Sequence, residues 1–592
     1  VNERIVRETG EDLINYLYTI KAEDIVRIEV IPVGGVEFEA SAQGGVIKIT
    51  LRRQRNNGVE GSLSMRYGTT LNHNRPMESF QPNFNINYRA NKLSLYTTVS
   101  ENHQTGTSSE VRERYASNGH VSKERALYSN KGDMPSLRAG AIFDFNENHS
   151  VGVEANLYGF FPWRNTMTNS QHITGPNGYT ENINSFYRHR NTYRSWNLSG
   201  NYIARLDTVG STFKLLLDYV RTHPENSADY DNLYDTNGVL KDSVYRSRNE
   251  SWNNLYSVGG DFDLKAGKRG RVKTGFKYMF SNVDNDAAYD YFKNDRWSPI
   301  PDRTHRTLYD EHISALYGNY SYKFANKIGL GFGLRVEHTY AQPKAGELNI
   351  DQQNYFSFFP NANLSLPLNQ QESHQLIFSY ARKIRRPSFW NLIPRRWTDG
   401  ETVAYEGNPK LKPCYSDEVS VSWVIAKKYN VTAGAYLMKD DWTQVPRVDA
   451  DDPNLVVWRP ENLKNRDLWY LSINLPFNVA KWWRVNANIG GRLTWYEIDG
   501  LQQDNHRLSG NISNTFTVCD GTSFTLNANA STASKWGYSR FDGNYRVDAG
   551  IAQKFWKNRI TANVQVNNIF NSTNSTKITD SPGLYMEETG YW

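Results

Sequence analysis

The residues best suited to bind a solute lie close together in the second half of the chain. They are two tryptophans and two arginines, namely Trp390, Arg395, Arg396 and Trp397. Aromatic faces beside guanidinium groups can stack on a sugar ring or clamp a carboxylate. All four lie in the long connection 387–413, whose prolines could equally fix the path of a loop that packs on itself. The sequence leaves both interpretations open, and the four residues are candidate ligand contacts.

Catalytic and metal-dependent chemistry finds little support in the sequence. The 12 histidines are scattered, without the paired spacing typical of zinc ligands. His312 and His338 fall on predicted strands, but no serine motif accompanies them to form a hydrolytic site. Two cysteines, Cys414 and Cys519, make neither a disulfide framework nor a cysteine metal site. We therefore predict a protein that is not an enzyme and has neither metal nor cofactor.

The composition is typical of a β-sheet wall that has an apolar face on one side and a polar, water-facing face on the other. Aromatic residues reach 13% although the hydrophobic total is only 38%, and the mean hydropathy is −0.68. No stretch approaches the roughly 18 consecutive apolar residues of a membrane helix, whereas barrel strands need only about ten residues, half of them polar. The net charge of +6 is mild and no basic run is present, so nucleic acid is not an expected partner.

Alternation with a period of two begins at Val59 and indicates strands with one apolar face. Leu63, Met65 and Tyr67 fall on one side, while polar residues fall on the other. The pattern predicts twenty-one strands, with ten short turns alternating with long polar segments such as 101–133 and 159–194. After the strands near 59–67, 84–88, 93–99, 137–145 and 151–157, the pairs lie near 196–206 and 212–220, 252–264 and 271–280, 312–324 and 328–339, 356–368 and 374–381, 416–425 and 430–438, 468–476 and 483–492, 506–518 and 523–531, and 543–553 and 559–567.

Short turns on one rim and long loops on the other are typical of outer-membrane barrels, with the short turns in the periplasm. Because these barrels usually have an even number of strands, we expect a twenty-second strand. A loop is predicted over 568–588, and Tyr591 and Trp592, which follow it, are the candidate start of that strand. The sequence therefore predicts an all-β fold, a 22-stranded antiparallel transmembrane β-barrel. Residues 56–592 would form twenty-one strands of this barrel, without the final strand. Trp163 closes an aromatic run, 160–163, at the external rim; it is a candidate ligand contact or part of the interfacial aromatic girdle.

A barrel of this width needs a plug, and residues 1–55 are the candidate. They read as a helix near 12–20, a strand at 25–31, a Gly44-Gly45 turn and a strand at 46–51. This segment resembles the last part of the plug domain of TonB-dependent receptors, chiefly through Ile-Glu-Val-Ile at 28–31 and Gly-Gly-Val-Ile at 44–47. The runs SYARKIRRPS at 379–388, GNPKLKP at 407–413 and VNNIFN at 566–571 are similar to barrel motifs of the Bacteroidota branch of that family.

The resemblance implies a receptor in the outer membrane of a Gram-negative bacterium that binds a small nutrient outside and imports it with energy from TonB. By the same analogy, Lys21, Glu23 and Asp24 would meet the ligand at the plug apex, although they could equally be solvated turn charges. Expected partners are TonB, outer-membrane lipids and the nutrient, with a surface lipoprotein or other complex subunits as further candidates. The TonB box and the early plug strands are not found, and the chain reads as a processed or trimmed form. The alternative is a barrel that acts as a platform or as an assembly or secretion component of a surface complex.

The predicted strand polarity separates the two cysteines. Cys414 precedes a strand at the external end, and Cys519 sits in a short turn at the opposite end. Tilted strands of some ten residues hold such ends roughly 25 Å apart, whereas a disulfide needs Cα atoms within about 7 Å. We therefore expect two free thiols.

Overall fold

The fold is given by a computed structural model that describes residues 25–31, 35–41, 46–51, 57–70, 77–346, 350–398, 402–452 and 454–591. The strands are β1 Ile25–Ile31, β2 Val46–Leu51, β3 Gly58–Thr69, β4 Glu78–Ala90, β5 Leu93–Ser100, β6 His103–Ala116, β7 Val121–Asp133, β8 Ser136–Asp144, β9 His149–Thr174, β10 Thr180–Arg205, β11 Thr212–Thr236, β12 Val239–Ala266, β13 Gly270–Lys293, β14 Arg296–Pro299, β15 His305–Lys323, β16 Gly329–Ala345 and β17 Gln353–Pro367. They continue as β18 Gln375–Arg385, β19 Arg396–Thr398, β20 Val403–Glu406, β21 Cys414–Ile425, β22 Tyr429–Lys439, β23 Trp442–Val448, β24 Val456–Asn462, β25 Asn465–Ala480, β26 Trp483–Ile498, β27 Leu501–Cys519, β28 Thr522–Ser531, β29 Ser534–Trp536, β30 Ser539–Phe541, β31 Asn544–Phe555, β32 Ile560–Val566, β33 Ser575–Ser581 and β34 Leu584–Tyr591.

Helical structure is scarce among these residues. One short helix, α1, spans Phe389–Leu392, and single 3-10 turns lie at Pro176–Gly178 and Pro301–Arg303. In the part of the chain that the structure describes, no helix is long and apolar enough to cross a membrane.

Antiparallel pairing joins the strands into one barrel wall. Within the described residues, the wall runs through twenty-one strands, each hydrogen-bonded to the next: β3, β4, β5, β8, β9, β10, β11, β12, β13, β15, β16, β17, β18, β21, β22, β25, β26, β27, β28, β31 and β32. Each of these strands overlaps one strand that the alternation predicts. The predicted antiparallel β-barrel is therefore confirmed.

The wall is apolar on its outer face. Exposed side chains such as Leu63, Phe332 and Val564 are 63%, 58% and 66% accessible. The opposite face carries buried polar groups, among them Glu337 and Glu418, which are 2% and 1% exposed. Apolar residues therefore face outward and polar residues face inward, the reverse of a water-soluble protein. The reason is that lipid surrounds the outer face, so polar groups must find their partners inside the barrel.

Two segments that the sequence predicts as long loops are strands instead. Residues 101–133 form the β6–β7 hairpin, and residues 159–194 continue β9 and β10 into one tall hairpin of 26 residues a strand. Above the membrane, lipid no longer requires an apolar outer face, so the outer faces of these extensions are largely polar. Apolar side chains such as Met167, Ile173 and Tyr187 are instead buried on the inner face. The loss of the apolar alternation therefore marks the end of the membrane span and not the end of the strand.

The expected loop over 568–588 is also wrong. It contains β33 and most of β34, which pair with each other, and β34 pairs with β6 from Leu584↔Ala116 to Tyr591↔Ser109. Tyr591 thus ends a strand of an external hairpin. Along the wall itself, β3 pairs with β4 and β32 pairs with β31, and within the described residues neither strand has a second wall neighbour. The outer pairing of β30, β33, β34 and β6 links the two ends of the wall.

The described residues between 25 and 51 lie outside the hydrogen-bonded wall. Strands β1 and β2 form a separate antiparallel pair. Between them, residues 35–41 contact the inner face of the barrel. Glu37 and Glu39 accept hydrogen bonds from Lys273 and Lys277 of β13 at 2.8 and 2.5 Å, and the carbonyl of Ala40 accepts the Ile384 N–H of β18 at 3.0 Å.

Candidate functional site

A cavity of about 430 Å³ lies between the 387–413 segment and the inner face of the tall strands β10 to β15. Trp390, Arg395, Arg396 and Trp397 all line it. The structure thus brings all four candidate residues of this segment to one cavity. The facing wall contributes polar and aromatic side chains, among them His189, Tyr230, Asn249, Asn285 and His305.

Aromatic rings form one edge of this cavity. The ring of Trp390 meets the ring of Phe389 at a centroid distance of 5.1 Å and that of Trp397 at 6.3 Å, both edge to face. Trp397 in turn stacks on Tyr405, with centroids 5.9 Å apart and planes inclined by 16°. Trp390 is 46% exposed, so its free face is open to a ligand.

The hydrophobic contacts of α1 fix the segment against the barrel wall. Phe389, Leu392 and Ile393 pack with Tyr309, Ala341, Ala345, Ile350 and Leu411 in one buried cluster. Burying each of Phe389, Leu392 and Ile393 stabilises the contact by about 1.5 to 3 kcal/mol. The segment therefore does pack on itself and on the wall, and at the same time it presents Trp390 and Trp397 to the cavity. The two alternatives left open by the sequence are compatible.

The GNPKLKP run has a clear structural role in this packing. The N–H of Gly407 donates to the Ile393 carbonyl at 3.1 Å, and a Cβ at this position would lie 2.2 Å from that oxygen. Only glycine allows so close an approach. The N–H of Asn408 donates to the Asn391 carbonyl at 2.6 Å, and its side chain donates to the Pro460 carbonyl at 3.0 Å. The run closes the segment back onto α1.

The arginines at the end of β18 anchor the other end of the segment. Arg386 donates to Glu337 at 2.6 Å and to Thr339 at 2.9 Å, and Glu337 also accepts from Arg335 at 2.6 Å. Arg385 pairs with the buried Asp441 and lies over the ring of Trp442, 3.7 Å from its centroid.

Arg396 is already engaged in ion pairs. It donates to Glu406 at 2.8 Å and to Asp449 at 2.6 Å, which ties β19 to the neighbouring β20 and to the β23–β24 hairpin of an external four-stranded sheet. Burial works against ionisation of Asp449, but N–H groups of Asp451 and Asp452 and the Arg396 guanidinium outweigh it and lower the pKa of this carboxyl. Arg396 therefore shapes the cavity more than it offers a free charge.

The electrostatics of the cavity favour an anion. None of the described residues that line it is Asp or Glu. Two arginines line it, Arg395 and Arg396, and the charge of Arg396 is already balanced by Glu406 and Asp449. His305 lies in the external part of β15, and its Nδ1 is buried without a hydrogen-bond partner. Burial, together with the positive charge of Arg395, lowers the pKa of His305 to about 4. At neutral pH this imidazole is therefore neutral and can donate to, or accept from, a ligand.

The other predicted site residues lie elsewhere. Trp163 does not line the cavity; its ring packs over Gly132 and contacts Phe160 at a centroid distance of 5.8 Å. Lys21, Glu23 and Asp24 lie outside the described residues. The wall residues His189, Tyr230 and His305 were not singled out from the sequence. Alternate aromatic positions along β10 and β11 are the signal that could have identified His189 and Tyr230 once those segments are read as strands.

Comparison with known proteins places the chain in a family. Residues 204–592, more than half of the chain, match the Outer membrane protein beta-barrel family. A sequence comparison with curated proteins gives no match.

Three solved structures from Pseudomonas aeruginosa are similar in fold. The siderophore receptor PirA is 14% identical, with 96% of this chain and 87% of that chain covered and a TM-score of 0.56. A mutant of the ferric enterobactin receptor PfeA, in complex with enterobactin, is 14% identical, with 97% of this chain and 86% of that chain covered and a TM-score of 0.57. FpvA bound to heterologous pyoverdines is 12% identical, with 93% and 73% covered and a TM-score of 0.58.

The expectation that the chain belongs to the Bacteroidota branch stays a prediction.

The family match and the barrel with its apolar outer face agree with each other. The chain therefore belongs to the outer membrane protein beta-barrel family, and its place is the outer membrane of a Gram-negative bacterium.

Proposed function

We propose that this protein is a TonB-dependent receptor that binds a small nutrient at its external cavity and imports it into the periplasm. The observation that carries this proposal is the contact of residues 35–41 with the inner face of the barrel. Two Lys–Glu ion pairs and the Ile384–Ala40 hydrogen bond attach this segment to β13 and β18. Wide outer-membrane barrels carry a plug in the lumen, and a segment attached to the wall in this way must be displaced before a solute can pass.

The domain arrangement is part of the same proposal. Residues 1–55 would be the C-terminal part of the plug domain, and residues 56–592 would form the transmembrane barrel without its final strand. Since β3 and β32 each have one wall neighbour among the described residues, the place between them fits one more strand, which would give a wall of twenty-two. TonB would act on the plug from the periplasm, because the outer membrane has no ATP of its own.

The proposed ligand is a compact anion with a flat apolar face. Arg395 and the absence of Asp and Glu from the described lining favour negative charge, and Trp390 with Trp397 offers rings for stacking. The barrels of similar fold include a ferric enterobactin receptor and a siderophore receptor. A ferric chelate is therefore the first class to test.

The test measures energised uptake in iron-limited cells that lack their own siderophore receptors. Each strain expresses this protein at equal surface level and receives ⁵⁵Fe as either an anionic tricatecholate or a neutral trihydroxamate chelate. We expect saturable uptake of the anionic chelate that is lost when tonB is deleted. Uptake that is unchanged without TonB would contradict the energised mechanism.

The experiment can reject the proposed ligand class and the proposed import function independently of each other. Binding and import of the neutral chelate alone would reject the anionic ligand but keep the importer. Absence of TonB-dependent uptake for any nutrient that supports growth, combined with co-purification of surface subunits, would support the platform alternative.

A further inference from the structure

The outer face of β7, β9 and β10 carries an unusual row of cations. Lys131 is paired in register with Arg164, and Arg164 is paired with Arg190 on its other side. All three side chains are exposed and point away from the lumen, since Gly132 and Trp163, their chain neighbours, meet on the inner face. Like charges directly opposite each other on neighbouring strands are destabilising. A bound counter-anion would relieve this repulsion.

No carboxylate within the row supplies that charge. The positions that continue it are Thr105 on β6 and Ser227 on β11, both neutral. Carboxylates do lie two residues away along these strands, but each already has a basic side chain as its partner. Asp133 pairs with His103 at 2.6 Å, Glu225 with Arg248 at 3.7 Å, and Asp229 with Arg188 at 4.0 Å. Within the described residues, Lys131, Arg164 and Arg190 have no ion-pair partner.

An apolar groove lies on the same outer face, nearer the membrane. It has a volume of about 550 Å³ and lies where the wall strands β5 and β8 meet the β6–β7 hairpin. Phe84, Leu137, Leu157, Phe161 and Trp196 line it, with Arg194 at its edge. The guanidinium of Arg194 lies 5.9 Å from the ring centre of Phe161. Arg221, paired in register with Trp196, lies 4.6 Å from the ring of Trp252.

The vertical order of these features matches a lipid. On β10, Trp196 borders the apolar band, Arg194 follows two residues higher and Arg190 four residues higher still, about 13 Å along the strand. Aromatic side chains flank the apolar band of such barrels at the interface, so the cations lie at the level of lipid headgroups. Guanidinium groups bind phosphate through paired, charge-assisted hydrogen bonds.

We propose that this face binds one acylated, multiply phosphorylated lipid of the outer leaflet, with an acyl chain in the groove and its phosphates on Lys131, Arg164 and Arg190. The lipid neutralises the cation row and fastens the tall β9–β10 hairpin to the membrane surface. This site is on the outside of the wall and is independent of the nutrient cavity on the inside.

The test uses the purified full chain in detergent and native mass spectrometry with three probes. These are a hexa-acylated bisphosphorylated lipid A, the same lipid without its phosphates, and inorganic pyrophosphate. We expect the phosphorylated lipid to bind and the K131Q/R164Q/R190Q variant to lose at least fivefold in affinity. The matched control is R188Q/R246Q, whose arginines are exposed on the same outer face but are paired with Asp231 and Asp290 at 3.0 and 2.9 Å. It should change affinity less than twofold.

A second variant tests the groove without changing charge. L137W fills the space for an acyl chain and should weaken binding of the lipid, while heat-modifiable migration on gels verifies that every variant is folded. Equal lipid binding by the triple variant and the wild type would overturn the proposal. So would displacement of the lipid by pyrophosphate at equal concentration, which would indicate a site for phosphate ions alone.

Discussion

Lys277 of β13 forms an ion pair with Glu39 inside the barrel, with Nζ 2.5 Å from Oε1. On either side of Lys277, Phe276 and Tyr278 point outward and are 41% and 39% exposed. The lysine therefore faces the lumen, and its side chain is only 12% exposed.

A positive charge at position 39 should loosen the contact of residues 35–41 with the barrel. E39K replaces the attraction between Glu39 and Lys277 by repulsion between two positive charges in a partly buried site. In planar bilayers we expect the wild type to be closed and E39K to show frequent openings. The double variant E39K/K277E restores opposite charges and should restore closure. Equal conductance in all three proteins would reject residues 35–41 as a plug contact.

Replacing Trp390 and Trp397 by alanine should weaken ligand binding and leave barrel assembly intact. Stacking and cation–π contacts are worth about 0.5 to 2 kcal/mol each, so we expect the double variant to lose a few kcal/mol at most. The measurement is affinity for the imported chelate, or uptake at equal surface expression. W556A is the control, because Trp556 is 77% exposed beyond the end of β31, at the rim opposite the cavity. A double variant with wild-type affinity would remove both residues from the ligand site.

Ligand binding should become tighter as the pH falls from 7 to 5. Burial and the Arg395 charge hold the pKa of His305 at about 4, so the imidazole is neutral in the free protein. An anion bound beside it opposes the effect of Arg395 and raises that pKa, so binding takes up a proton. H305Q should abolish this pH dependence, whereas H506Q, at a side chain that is 61% exposed on β27, should keep it. Isothermal titration in two buffers of different ionisation enthalpy measures the proton uptake.

His305 also affects stability. Its pKa in the folded state lies below the value of about 6.5 for an unfolded histidine, so the unfolded chain binds more protons between pH 6.5 and 4. Stability of the external β15 region should therefore fall as the pH decreases through that window, and H305Q should remove this part of the loss. Hydrogen exchange of residues 305–310 at pH 7 and 5 measures it. Identical pH dependence in H305Q would show that another group is responsible.

Arg386 should matter far more to stability than Arg382 in the same motif. Arg386 is 11% exposed and pairs with Glu337, which is 2% exposed, whereas Arg382 is 43% exposed and lies 3.5 Å from Asp417. Breaking a buried pair costs about 3 to 5 kcal/mol, and an exposed pair contributes about 0 to 1 kcal/mol. We therefore expect R386M to lower the temperature of heat modification well below that of R382M. Similar values for both variants would contradict the buried network.

The two cysteines are free, as the strand polarity predicts, and they differ in access. Cys414 is fully buried at the start of β21, and burial raises the pKa of its thiol to about 12. Cys519 is exposed at the end of β27. A maleimide should label Cys519 rapidly in the purified protein and Cys414 only after unfolding. Rapid labelling of C519S would show that the Cys414 environment is open.

Labelling of whole cells tests which rim of the barrel faces the periplasm. A membrane-impermeant maleimide should reach Cys519 only after the outer membrane is permeabilised, because that residue lies at the short-turn rim. Labelling of intact cells would reverse the assigned polarity.

The sequence by itself determined the membrane wall. Alternation such as Leu63, Met65 and Tyr67 against polar neighbours requires an apolar outer face, and it predicted each of the twenty-one wall strands that the structure describes. The same rule could not find the upper parts of β9 and β10, because nothing apolar surrounds them. The four residues of the 387–413 segment were recognisable by type, since aromatic and guanidinium groups suit a ligand wherever they meet.

Only the tertiary structure decided what those residues meet. His305 and Arg395 are 90 positions apart in the chain, and burial against the barrel wall brings them to one cavity. The cation row Lys131, Arg164 and Arg190 likewise depends on the register of β7, β9 and β10, in which a shift of one residue would turn every side chain to the other face. The pairing register and the packing of distant segments are set by the whole barrel. A local sequence pattern does not determine either of them.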